Sequence, residues 1–155
     1  MINIITGSID SGKTSKMMAI YQFYKTGDGF ISFKRKTLNL VESYWATRLA
    51  TMEERPFIYR DSCAPKDFDS CCHIGPYLVS HATLAWIEAE IRTMIKQQTS
   101  PIFLDEIGLL ELNNLGFHTI FSEMIASKGE IYVTIRNELV DAVLSKYTIT
   151  DYRLM

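Results

Sequence analysis

The amino-acid sequence predicts an α/β fold of three layers, with a mainly parallel β-sheet between helices. Short apolar segments alternate with segments whose apolar residues recur at helical spacing, an order typical of βαβ crossovers. A glycine-rich turn follows the first apolar segment, and an acidic pair follows a later one. Because ligands in open α/β sheets bind outside the carboxyl ends of the strands, these features predict one site at a single edge of the sheet.

The N-terminal elements follow from local patterns. Residues 1–6 form an apolar run typical of a strand buried on both faces, and residues 13–24 carry apolar side chains at helical spacing. Glycines end that helix before a second predicted strand, residues 30–33. Residues 44–60 predict a β-hairpin around a charged turn, whereas residues 61–79 show no clear period.

The C-terminal elements continue the alternation of strands and helices. Ser80 is a suitable N-cap for a helix that runs to about residue 97. Buried strands at 102–104 and 131–135 enclose a helix at 117–125, and a short helix and an edge strand at 148–154 complete the chain. We therefore expect residues 1–155 to form one domain, in which residues 37–79 are a hairpin and an irregular insertion.

Composition excludes several classes of protein. The hydrophobic fraction of 47% and the charged fraction of 22% are typical of a globular domain and exclude a disordered chain. Sixteen Lys and Arg against eighteen Asp and Glu give a charge of −2, so we expect no nucleic-acid partner. No apolar run is long enough to predict a membrane span. Three cysteines, an odd number, favour reduced thiols and a cytoplasmic location.

One motif carries most of the functional information. Residues 7–14 fit G-x4-G-K-[ST], the phosphate-binding P-loop or Walker A pattern, and lie between a predicted strand and a predicted helix. Its glycines permit a tight turn, its successive N–H groups attract an anion, and its lysine and threonine suit phosphates and Mg²⁺. The predicted nucleotide-binding residues are Gly7, Ser8, Ile9, Asp10, Ser11, Gly12, Lys13, Thr14 and Ser15.

A second motif completes the predicted site. Ile102 to Leu104 is an apolar strand that ends at Asp105 and Glu106, as in the Walker B pattern. Asp105 and Thr14 are the predicted magnesium ligands, with Asp105 acting through water. Glu106 is the predicted general base for an attacking water. Lys13 is the second predicted catalytic residue, because its positive charge would contact the β- and γ-phosphates.

The segment that begins at Leu104 resembles a known family. Its sequence Asp105-Glu106-Ile107-Gly108, followed by Glu111-Leu112 and by Phe117, is similar to the second motif of the THEP-type nucleoside triphosphatases. The resemblance implies the three-layer P-loop NTPase fold with an inserted hairpin. It also implies Mg²⁺-dependent hydrolysis of nucleoside triphosphates, typically ATP and GTP. Two positions depart from the family: Asp10 stands where a glycine is usual, and Ser15 where a threonine is frequent.

Other residues are weaker candidates. Arg136, which follows a core strand, is the leading candidate for a γ-phosphate contact, ahead of Arg35 and Arg60. Aromatic residues of the hairpin suit either its core or the stacking of a base; they are Tyr44, Trp45 and Tyr59. The cysteines are spaced poorly for a structural zinc, whose ligands usually include C-x2-C pairs; they are Cys63, Cys71 and Cys72.

Hydrolysis is the leading functional hypothesis, and two alternatives remain open. A nucleoside or small-molecule kinase has a similar phosphate-binding loop, although no acidic residue suited to an acceptor follows the second predicted strand. A non-catalytic nucleotide-binding switch is favoured by Asp10, because a carboxylate that faced the phosphates would weaken binding or slow turnover. Oligomeric state is not predicted.

Overall fold

The computed structural model describes residues 1–155, in which α-helical segments and strands alternate except between residues 28 and 80, where five strands follow one another. The strands are β1 Ile2–Gly7, β2 Asp28–Thr37, β3 Leu40–Arg48, β4 Glu54–Arg60, β5 Ser70–Ile74, β6 Tyr77–Ser80, β7 Ile102–Ile107, β8 Ile131–Arg136 and β9 Tyr152–Leu154. The helices are α1 Lys13–Tyr24, α2 His81–Lys96, α3 Leu109–Leu112, α4 His118–Ala126 and α5 Val140–Lys146.

The nine strands form one sheet in the order β5-β6-β4-β3-β2-β7-β8-β1-β9. The five strands from β2 to β9 in this order run parallel, with helices in their crossovers. The other four strands extend the sheet beyond β2, and each pairs antiparallel with its neighbour. The carboxyl ends of β1, β7 and β8 therefore share one edge of the sheet.

Two hydrophobic cores lie on opposite faces of the sheet, because alternate residues of each buried strand point to opposite sides. On one face, Met17 of α1 packs with side chains such as Ile5, Ile31 and Phe103. On the other, residues of α2, α4 and α5 pack with their strand neighbours, including Phe30. This arrangement confirms the predicted three-layer α/β class.

Two predictions about the middle of the chain need correction. The second strand is not limited to residues 30–33, since β2 extends to Thr37 and pairs with β3. Residues 61–79 are not irregular throughout, because β5 and β6 form a second hairpin at the edge of the sheet. Apart from the buried Val79, residues 34–37 and 61–79 are half-buried or exposed, and a short edge strand covered on one side leaves little hydrophobic pattern in the sequence.

Helix α2 begins as the sequence predicts. The Ser80 hydroxyl accepts a hydrogen bond from the backbone N–H of Thr83 at 3.1 Å and donates one to Asp69 at 3.0 Å. This cap satisfies one of the backbone donors that a helix leaves free at its start. None of the helices combines the length and the apolar character needed to cross a bilayer.

Candidate active site

The loop between β1 and α1 has the backbone of an anion-binding turn. Gly12 has a φ of 85°, a left-handed conformation that favours glycine, and a Cβ at Gly7 would overlap the Ser11 side chain. No side chain caps the start of α1, so its first N–H groups remain available to an anion. Lys13 is mostly buried, and its ammonium donates a hydrogen bond to the Ser8 carbonyl at 2.7 Å, which holds it against the loop.

The Asp105 carboxylate joins this loop to the sheet. One of its oxygens, Oδ2, accepts hydrogen bonds from the Thr14 hydroxyl at 2.7 Å and from the Ser32 backbone N–H at 3.1 Å. The other, Oδ1, accepts one from the Thr134 hydroxyl at 2.6 Å. Burial raises the pKa of Asp105, while these hydrogen bonds oppose the increase. The two predicted magnesium ligands, Thr14 and Asp105, are thus in direct contact through a hydrogen bond.

A break in strand pairing separates Asp105 from Glu106. Leu104 is opposite Val133, but Ile107 is opposite Ile135, so two residues of β7 face only Thr134 of β8. Glu106 has a φ of 69°, and its backbone N–H donates to the Thr134 hydroxyl at 2.8 Å. Such bulges change the direction of side chains and store strain, of about 1–3 kcal/mol for a non-glycine residue in this region.

The bulge gives Glu106 a different environment from that of Asp105. No protein group donates a hydrogen bond to the Glu106 carboxylate, which lines the cavity beside the phosphate loop. Burial and the neighbouring Asp105 raise the pKa of Glu106, and the cations Lys13 and Arg136 oppose the increase. The free carboxylate is thus available to a small molecule in that cavity.

A cavity of about 330 Å³ opens in front of the loop. Its rim includes Lys34 and Lys36 of β2, which face the start of α1. Lys34 forms a salt bridge with Asp10, and this bridge is the main cause of the lowered pKa of the Asp10 carboxyl. The carboxylate that departs from the family pattern is therefore neutralised by a neighbouring lysine rather than left free to repel phosphate.

The three candidate arginines have different surroundings. Arg136 lies opposite Gly7 in the β1–β8 pair and forms no salt bridge. Arg35 instead pairs with Glu54 at 2.8 Å and covers the Trp45 ring. Arg60 donates to the Val41 carbonyl and to the Tyr77 hydroxyl. Only Arg136 among them lines a cavity that also contains Glu106.

None of the remaining candidates lines the cavity in front of the phosphate loop, and only Tyr44 lines the cavity that contains Arg136. Tyr59 packs against Phe68 within the insertion. Cys71 and Cys72 are adjacent on β5, with their sulfur atoms 3.4 Å apart, and Cys63 is separate from them. No group of three His, Cys, Asp or Glu side chains has an arrangement suited to holding a metal ion.

Thr134 is the site residue that sequence reasoning missed. Its hydroxyl is fully buried and bridges both acidic residues, since it donates to Asp105 and accepts from the Glu106 N–H. The available signal is a single polar residue in the otherwise apolar strand Ile131–Ile135. A hydroxyl in a strand that is buried on both faces needs a hydrogen-bond partner. Because Thr134 lies near the carboxyl end of β8, that partner is a residue of the candidate site.

Comparison with known proteins agrees with this geometry. A family model described as NTPase matches residues 3–154. The chain belongs to this NTPase family. The resemblance to the THEP-type enzymes is confirmed, and the protein is a nucleoside triphosphate hydrolase by class.

A solved structure has the same fold as this NTPase. The solution structure of a human cancer-related nucleoside triphosphatase matches with a TM-score of 0.67 and 19% sequence identity. The match covers 98% of this chain and 86% of the human one. A search of the curated proteins gave no match.

Glu111 of this NTPase is a structural carboxylate. Its oxygens accept hydrogen bonds from the backbone N–H groups of Gly108 and Phe117, each at 2.8 Å. These bonds fix the turn that follows β7 and the start of α4. The side chain is buried, and burial raises its pKa to about 7 from an ordinary value of 4.5.

Glu111 is expected to make the stability of the protein fall as the pH rises. Between pH 4.5 and about 7 the folded protein binds a proton at Glu111 that the unfolded chain has released. The free energy of unfolding should fall by about 3 kcal/mol across this interval from this group alone. Urea denaturation of the wild type and Glu111→Gln at both ends of the interval measures the effect. Equal pH dependence in the two proteins would contradict it.

Proposed function

We propose that this NTPase hydrolyses Mg²⁺-bound ATP or GTP to the nucleoside diphosphate and phosphate at the Gly7–Thr14 loop. The observation that carries the proposal is the contact between the Thr14 hydroxyl and the Asp105 carboxylate at 2.7 Å. This contact joins the phosphate loop to the strand that delivers Glu106, so one cavity contains an anion-binding turn, hard oxygen atoms and a free carboxylate.

Binding of the triphosphate would use backbone N–H groups and two cations, Lys13 and Lys36. The loop residues 7–15 would surround the phosphates with the free N–H groups at the start of α1. Lys13 would exchange its hydrogen bond with the Ser8 carbonyl for oxygens of the β- and γ-phosphates. Lys36 lines the same cavity and would add to its attraction for a polyanion, whereas the charge of Lys34 offsets that of Asp10.

The residues present fit a magnesium ion. Mg²⁺ prefers hard oxygen ligands, retains several waters and binds through few protein groups together with substrate phosphates. The Thr14 hydroxyl would be the direct protein ligand, and the buried Asp105 carboxylate would hold it through water. When bound, the ion neutralises charge on the β- and γ-phosphates.

Glu106 would act as the general base. Its carboxylate is not engaged by any protein donor and faces the cavity, so it can orient a water and accept its proton as the oxygen attacks the γ-phosphorus. The negative charge that develops on the γ-phosphate oxygens would be stabilised by Lys13 and by Arg136. Arg136 is suited to this role because no carboxylate pairs with it and it lies across from Gly7.

Phosphate release from ATP and from GTP, measured with Mg²⁺ and again with excess chelator, tests the proposed reaction. We expect release of phosphate with both nucleotides and its loss on chelation. Release that continues unchanged in chelator would contradict the role of the metal ion. Tight binding of both nucleotides without any release would instead favour the switch.

Thr134 is expected to position both acidic residues. Thr134→Val keeps the shape of the side chain but removes the donor to Asp105 and the acceptor of the Glu106 N–H. We expect kcat to fall about 10-fold, as for other groups that orient ligands, and the free energy of unfolding to fall by about 1–3 kcal/mol. Thr134→Ser, which keeps the hydroxyl, should restore kcat. A kcat equally low in both variants would contradict the positioning role.

A further inference from the structure

A second cavity, of about 320 Å³, adjoins the phosphate cavity. The two have Ser32 and Glu106 in common, so the general-base candidate stands at their junction. The volume lies at the lower end of the range for small-molecule pockets, about 300–1,000 Å³. A water molecule that attacks the γ-phosphate would need only the space beside the Glu106 carboxylate. Hydrolysis alone therefore does not require the second cavity.

The walls of the second cavity are mainly aromatic and aliphatic. Phe57 of the insertion stacks on Phe117 with ring centroids 5.3 Å apart, and Tyr44 meets the Tyr77 ring edge-on at 5.9 Å. The first pair joins the antiparallel insertion to the parallel core, and the second lies within the insertion. Aliphatic side chains such as Leu109 complete the lining. Such a surface favours a flat ring system over a hydrated or highly charged molecule.

The charged groups of this cavity are few and nearly balanced. Both oxygens of Glu111 are engaged by backbone donors, so this carboxylate contributes structure rather than a free charge. Glu106 and Arg136 have opposite signs. A ligand that fills the cavity would therefore be uncharged, with its apolar ring among the aromatic side chains and a polar group directed to Glu106.

We propose that the second cavity binds an uncharged, nucleoside-like alcohol that accepts the γ-phosphoryl group in place of water. This inference rests on the proposed function, because it uses the same triphosphate site and Glu106. The hydroxyl oxygen of the alcohol forms a bond to the γ-phosphorus, and the bond from that phosphorus to the β–γ bridging oxygen breaks. The nucleoside diphosphate leaves with the bridging oxygen, the hydroxyl proton passes to Glu106, and the alcohol becomes a phosphomonoester.

The decisive experiment follows γ-labelled Mg²⁺-ATP with adenosine, guanosine, cytidine or thymidine as probe, and without any of them. Labelled nucleoside monophosphate should form with at least one probe, and less free phosphate should be released per ADP. Free phosphate equal to ADP with every probe would overturn the proposal, as would inhibition without a labelled product. Phosphate release in the reaction without nucleoside reports separately on the proposed function.

A matched pair of variants tests the location of the acceptor. Leu109 lines the second cavity and Leu115 does not, and both are partly exposed, at 50% and 39%, so that each tolerates a larger side chain. Leu109→Trp should lower the ratio of phosphorylated nucleoside to free phosphate about 10-fold or more by occupying the pocket. Leu115→Trp should leave the ratio at the wild-type value. The wild-type ratio in Leu109→Trp would overturn the assignment of this cavity.

Discussion

Replacement of Glu106 by glutamine is expected to lower kcat for nucleoside triphosphate hydrolysis by about 10²–10⁴-fold, the usual contribution of a general base. Glutamine has the size of glutamate but accepts no proton from water. The hydrogen bond from the backbone N–H to Thr134 is independent of the side chain, so the bulge should persist. Binding of a non-hydrolysable ATP analogue should therefore be retained while phosphate release is lost.

The control for this prediction is Glu138→Gln, a change of the same charge at an exposed residue shortly after β8. It should leave both kcat and analogue binding at the wild-type values. A Glu106→Gln protein with unchanged kcat would remove this residue from the chemistry. Equal loss of analogue binding and of turnover would indicate that the Glu106 charge contributes to nucleotide binding rather than to the chemical step.

Replacement of Asp105 by asparagine is expected to lower kcat by about 10–100-fold and to raise the Mg²⁺ concentration needed for half-maximal rate. The amide has one acceptor oxygen, whereas the carboxylate uses both oxygens to accept from Thr14, Ser32 and Thr134. Loss of an acceptor in a fully buried network should also lower the free energy of unfolding by about 1–3 kcal/mol. Rates over a Mg²⁺ titration and urea denaturation measure the two effects.

Asp67→Asn is the matched control, because Asp67 is exposed and its carboxylate makes no hydrogen bond. Its Mg²⁺ titration and its stability should equal those of the wild type. An Asp105→Asn protein that is less stable but has an unchanged Mg²⁺ requirement would make Asp105 a purely structural carboxylate.

The features that sequence predicted best are those fixed by local chemistry. The loop Gly7–Thr14 needs particular residues at particular positions, and its neighbours β1 and α1 have clear hydrophobic patterns. The cap at Ser80 and the core strand before Asp105 are local in the same sense. Because parallel strands share an edge, these local features also predict that the loop and Asp105 lie near one another.

Features that depend on the packing of distant segments were not predictable in the same way. The bulge at Glu106 arises from a register shift against Thr134, 28 residues later in the chain, and no local pattern encodes it. The second cavity is lined by distant segments of the chain, including Phe57 of the insertion and Phe117 of the core, whose rings stack. The salt bridge between Lys34 and Asp10 requires β2 to continue past the predicted end of the strand.

The central claim is that water bound at Glu106 attacks the γ-phosphorus of a triphosphate held by the Gly7–Thr14 loop. Hydrolysis of Mg²⁺-ATP in water enriched in the heavy isotope of oxygen tests it directly, with mass analysis of both products. The predicted result is one labelled oxygen in each released phosphate and none in the ADP. Label in the ADP, or pyrophosphate among the products, would contradict attack at the γ-phosphorus.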